Sequence, residues 1–135
     1  MALGTVTETH MELGHIRYIK FACVANSSDG ELAGHVVTSA LPESGGRAIK
    51  IVTVPGATAP ATDYDFTLKD ARGIDLLQGL GADRSATATE ETDLIYASTY
   101  NAPVFAQDDV FTLAMTNSTK NSAIFDFYLF YALGG

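Results

Sequence analysis

At 135 residues, 47% of them hydrophobic, the chain has the size of one ordinary domain and enough apolar content to build a core without disulfides or metal. Sixteen acidic against eight basic side chains leave a net charge of -8, which opposes the phosphate backbone and excludes nucleic acid as a direct partner. The single cysteine excludes an internal disulfide and a thiolate zinc cage, and no apolar stretch is long enough to span a bilayer as a helix.

Residues 1–15 mix Thr and Glu with scattered apolar side chains, Leu3, Val6, Met11 and Leu13. They suit either an N-terminal arm that orders on a neighbour or an edge strand, with a short strand near 4–9. Residues 16–135 read as a single β-sandwich domain. In the run 14–25 the period is two: Arg17, Ile19, Phe21, Cys23 and Ala25 share one face, and Ile16, Tyr18, Lys20 and Val24 the other. Cys23 in this run reads as a small buried hydrophobe. Further strands are predicted over 32–40, 47–54, 64–69, 88–97, 109–116 and 122–132. The cleanest alternation is in 64–69, with Tyr64, Phe66 and Leu68 inward and Asp65, Thr67 and Lys69 outward.

Turn-rich clusters separate these runs: 26–30, 42–46, 55–60, 70–73 and 117–121, with Gly30, Gly46 and Gly73 able to supply the positive φ of a tight turn. The three glycines within 73–81 argue against a helix there and for a short strand or turn over Ile74–Leu77, then a loop. Segments 56–62 and 98–107 read as longer exposed loops. The last run carries Phe125, Phe127, Leu129, Tyr131 and Leu133 on one face and Ile124, Asp126, Tyr128, Phe130 and Ala132 on the other. A strand apolar on both faces is central in a sandwich, or buries its second face against another chain. The fold class that follows is all-β, an antiparallel β-sandwich (jelly-roll or Ig-like) of about seven or eight strands.

The tests for chemistry return no catalytic residue, cofactor or metal site. No nucleophile elbow, His-Glu-x-x-His helix or glycine-rich phosphate loop occurs, and His10, His15 and His35 read as surface or capping histidines. The acids Asp63, Asp65, Asp70, Asp75 and Asp83, with the pairs Asp108-Asp109 and Glu90-Glu91, match no calcium-loop spacing. Two sequons, at Asn26 and Asn117, lie in predicted turns, but the N-terminus has no basic head followed by an apolar signal core, so glycosylation is not expected. Tyr96, Tyr100 and Phe105 are the aromatics near a long loop, where they offer a protein-contact anchor or, with no Trp to help, a sugar platform.

Residues 49–85, IKIVTVPGATAPATDYDFTLKDARGIDLLQGLGADRS, resemble a group of small virion-associated proteins of tailed bacteriophages. The likeness lies in a strand ending in Val54-Pro55, a Thr/Pro loop, the Tyr64–Leu68 strand, the Gly73–Leu77 turn and the Gly81–Asp83 loop. It extends more loosely through the Thr112–Asn117 strand to Tyr131, about two thirds of the chain, and leaves out the first 15 residues. These residues shape strands and turns and do no chemistry. The resemblance implies a structural part of a phage particle. Size, the all-β pattern, the acidic charge and the missing chemistry then give the leading expectation: a non-enzymatic capsid decoration (cement) protein. It would be made in the host cytoplasm and held as a homotrimer on the capsid surface, bridging copies of the major capsid protein. The acidic surface suits docking on a basic one. Its expected contacts are Leu3, Val6, Met11, Tyr100 and Phe105. The alternatives are a neck, tail or adsorption-apparatus component, and a sugar-binding β-sandwich module.

Overall fold

The computed structural model describes residues 4–37, 46–61, 63–77, 79–94, 104–105 and 111–133. Within them the chain forms nine strands: β1 (Thr5–Leu13), β2 (Ile16–Val24), β3 (Leu32–Val36), β4 (Gly46–Pro55), β5 (Asp65–Lys69), β6 (Glu90–Asp93), β7 (Val104–Phe105), β8 (Thr112–Thr116) and β9 (Ile124–Leu133). They make two antiparallel sheets. The larger has the order β1-β2-β9-β4-β6, with β7 paired to the start of β4, and the smaller the order β3-β8-β5. From β2 to β6 successive strands change sheet each time, and β8 to β9 does so again, which brings the last strand between β2 and β4. Of the two sandwich types expected, this is the jelly-roll.

Alternation along the strands puts one face of each sheet into a common core. The larger sheet contributes Ile19, Phe21, Cys23, Ile51, Phe125, Phe127, Leu129 and Tyr131, and the smaller contributes Leu32, Phe66, Leu68, Leu113 and Met115. Rings close the gap between them: Phe66 lies 5.1 Å from Phe125 and 5.0 Å from Phe127, and Tyr64 lies 5.9 Å from Phe125. Each such aromatic pair contributes about 0.5–1.5 kcal/mol beyond its buried area. Burial also pushes the Cys23 thiol up, aided by the charge of Asp126, so the side chain is an inert core group.

Three expectations change. The N-terminal strand is nine residues long and pairs with β2 along its whole length, from Thr5 opposite Val24 to Leu13 opposite Ile16. The tight Gly14-His15 turn, with Gly14 at φ 73°, sets that register. Gly46 is not a turn residue; it opens β4 and pairs with Phe105 and Leu133. Phe105, assigned to a loop, has its backbone in β7. By contrast Gly30 and Gly73 do adopt positive φ, 74° and 84°, and Gly30 packs so closely on the Lys120 backbone that a Cβ would sit 2.6 Å from its nitrogen.

Candidate functional site: the outer face of the larger sheet

β9 is the middle strand of the larger sheet, so the side chains it turns away from the core occupy the centre of that sheet's outer face. Strand register builds the surroundings in rungs. One rung runs Met11, Tyr18, Phe130, Lys50, Asp93, and the next runs Thr9, Lys20, Tyr128, Val52, Glu91. Beyond them, Leu13, Ile16 and Ala132 form one end, and Val24 and Ile124 the other. Sheet pairing therefore gathers apolar side chains from the β1–β2 hairpin, β4 and β9, three segments far apart in sequence.

Tyr18 lies 5.7 Å from Tyr128 and 5.1 Å from Phe130, and Tyr128 and Phe130 stack at 6.4 Å. Around this cluster Met11 is 40%, Ile124 44% and Leu13 56% exposed, an unusual concentration for an outward sheet face. Beside the rings runs a shallow groove of about 260 Å³, lined by Val52, Val54, Glu91, Tyr128 and Phe130.

The charges of this face are balanced. Arg47, Lys20 and Lys50 stand with Glu91, Asp93 and Asp126 on the outward positions of β2, β4, β6 and β9. The Lys20 ammonium sits 3.8 Å from Asp126 and 5.9 Å from the Tyr128 ring centre, while that of Lys50 sits 3.6 Å from Glu91 and 4.8 Å from the Phe130 ring centre. The net charge of -8 therefore resides on the rest of the molecule. The ammonium groups also lie over ring faces on which a sugar would have to stack, so a glycan would first displace them.

Val6 points inward and packs against the core, whereas Met11 belongs to the outer face. Leu3, Tyr96, Tyr100, Asp108 and Asp109 lie outside the described residues, as does the side chain of Phe105.

The histidine reading needs correction. His10 and His35 are brought together from opposite sheets onto one carboxylate: His10 Nε2 is 3.0 Å from Glu8 Oε1 and His35 Nε2 is 2.6 Å from Glu8 Oε2, with the Glu8 side chain nearly buried. The signal was present in β1, where Val6, Glu8 and His10 alternate with Thr5, Thr7 and Thr9, but the partner on β3 is a tertiary fact. His15 is exposed in its turn.

The acidic residues serve the loops. Asp75 accepts from the backbone N–H groups of Leu68, Leu77 and Gly79, all at 3.0 Å, and Asp65 accepts from the Asp83 N–H and the Asn117 amide. Among the described residues no group of three or more His, Cys, Asp or Glu side chains is placed to hold a metal ion. A buried arginine went unread in the sequence: Arg84 donates to Thr53 Oγ1 (3.0 Å), Thr92 Oγ1 (2.8 Å), Glu90 O (3.1 Å) and Leu80 O (3.3 Å). It ties the 70–89 segment to the inner side of β4 and β6.

No protein-family model matches the sequence, and no curated protein matches it. A solved structure similar to this chain is the CBM22-1 xylan-binding domain from Paenibacillus barcinonensis Xyn10C, at 14% identity and a TM-score of 0.42, over 98% of this chain and 83% of that one. A likeness so distant carries nothing about ligand or role.

Proposed function

We propose that the chain is a non-enzymatic structural protein of a tailed-phage particle, a decoration protein seated on the outside of the assembled head. The observation that carries this reading is the outer face of the larger sheet, where Tyr18, Tyr128 and Phe130 are held ready for a macromolecular contact on a rigid central strand. Among the described residues, the groups with chemical potential have structural work: Glu8 with its two histidines links the sheets, Asp65 and Asp75 cap loops, Arg84 latches a segment, and Cys23 is inert in the core. The resemblance over residues 49–85 supplies the particle.

The mechanism is mass action. A protein that binds only the expanded shell stabilises that state by RT ln(1 + [L]/Kd) at each site, about 2.7 kcal/mol at a free concentration a hundredfold over Kd, repeated at every site. The test is quantitative mass spectrometry of purified particles against the major capsid protein, followed by add-back to shells that lack the chain. We expect a stoichiometry near one per capsid subunit and saturable rebinding. A few copies per hundred subunits moves the protein to the neck or tail, and failure to rebind removes the shell role.

A further inference from the structure

We propose that the outer face of the larger sheet is covered by a second copy of this chain, the two sheets meeting face to face about a two-fold axis. The inference rests on the face described above and deepens the particle reading by naming the partner of that face.

Three observations carry it. The first is charge. Two copies of a chain with net charge -8 add least local repulsion to their overall repulsion where they meet on charge-balanced surface, and the outer face, with three cations against three carboxylates, is such a surface. The second is area. Four strands at ~4.8 Å spacing with about five outward positions at ~6.8 Å span roughly 14 by 27 Å, and the two outward positions of β6 add a short strip, for about 400 Å² per copy. Pairing two such patches removes about 800 Å², the size of a weak, reversible interface. The third is form. A single patch centred on one strand suits pairing about a two-fold, because an isologous contact needs only one surface, whereas a trimer ring needs two different ones. Rings at the centre, ion pairs beside them and the polar Thr5, Thr7 and Thr9 row at the β1 edge follow the core-and-rim arrangement of such interfaces.

The experiment is sedimentation equilibrium of the full chain across micromolar to hundred-micromolar concentration, with thermal unfolding in parallel. We expect concentration-dependent association to twice the chain mass of 14.3 kDa. Phe130→Glu should weaken it at least tenfold while the unfolding transition stays cooperative. Should Phe130→Glu fail to fold, Met11→Glu and Ile124→Glu, both at exposed positions, carry the same test. A chain that remains monomeric throughout, a three-chain mass, or a dimer untouched by these substitutions overturns the proposal. So does a monomer that loses binding to shells, or retention on an immobilised polysaccharide, in the same variants, since either result assigns the face to another occupant. Add-back of the monomeric variant to shells keeps the two readings apart. Shell binding by a parent chain that never dimerises sinks the pairing alone, and parent dimers that ignore shells sink the decoration role alone.

Discussion

Glu8 holds two imidazoles drawn from different sheets, with its own side chain nearly out of solvent, so its removal leaves two histidines without their acceptor. Hydrogen bonds to a charged group contribute about 1.5–3 kcal/mol, and Glu8→Ala should therefore cost about 2–3 kcal/mol in urea unfolding at neutral pH. Glu8→Gln, which keeps one acceptor oxygen, should cost about half of that. A loss below about 0.5 kcal/mol, the range of an ordinary surface change, would mean that the clamp adds nothing to the sandwich. Asp70 makes a different kind of prediction. The Arg72 guanidinium, followed by the N–H groups of Ile74 and Arg72, holds its carboxyl below the ordinary value of 3.8. A folded-state value below the unfolded one stabilises the native state above about pH 4, and the contribution fades as pH falls through the folded value. Asp70→Asn should lower stability modestly at neutral pH and converge on the parent as pH falls through the folded value, which flattens the acid limb of the stability-against-pH curve. An unaltered acid limb would show that the turn does not feel the ion pair.

Arg84 shows how one side chain acts on whole elements. Its guanidinium spans Thr53 on β4, Thr92 and Glu90 on β6 and the Leu80 carbonyl of the intervening segment, a spread that a planar fork can serve and a single ammonium cannot. Arg84→Met should cost about 3–5 kcal/mol, because the hydroxyls and carbonyls it satisfied stay buried. Arg84→Lys should recover only part of this, and hydrogen exchange should show the amides around Leu77–Arg84 opening first. Uniform opening of both sheets would instead make Arg84 part of the global core. The same side chain marks the limit of what the sequence discloses. Alternation in 16–24, 65–69 and 124–133 made strand type and inward faces readable, since period two is a local property. Arg84 sits in a turn-rich stretch with no period, and its partners Thr53 and Thr92 lie 31 and 8 residues away. Nothing local predicts such a latch. The two-residue β7 was likewise hidden, because its pairing is dictated by β4. The outer face was half legible: Tyr128 and Phe130 stood out as a second apolar side of the last strand, but joining them to Tyr18, Met11 and Val52 required the strand order.

For the whole molecule the distribution of charge matters more than its sum, and it gives self-pairing and shell docking opposite signatures. If two copies meet on the balanced face, the term that opposes them is repulsion between their remaining surfaces, each with the full net charge of -8. That repulsion acts over the Debye length, which shrinks from about 30 Å at 0.01 M salt to about 8 Å at 0.15 M. The ion pairs Lys20–Asp126 and Lys50–Glu91 are formed within each copy and are largely unaltered by pairing, so they add little salt dependence of their own. The dimer should therefore tighten as salt rises over this range. Attraction between the acidic surface and a basic shell surface is screened by the same ions, and attachment to shells through it should weaken over the same interval. Measuring the dimerisation constant and shell occupancy in one salt series checks both. A dimer that dissociates as salt rises would instead show that unlike charges of the two copies meet across the contact and outweigh the repulsion between their remaining surfaces.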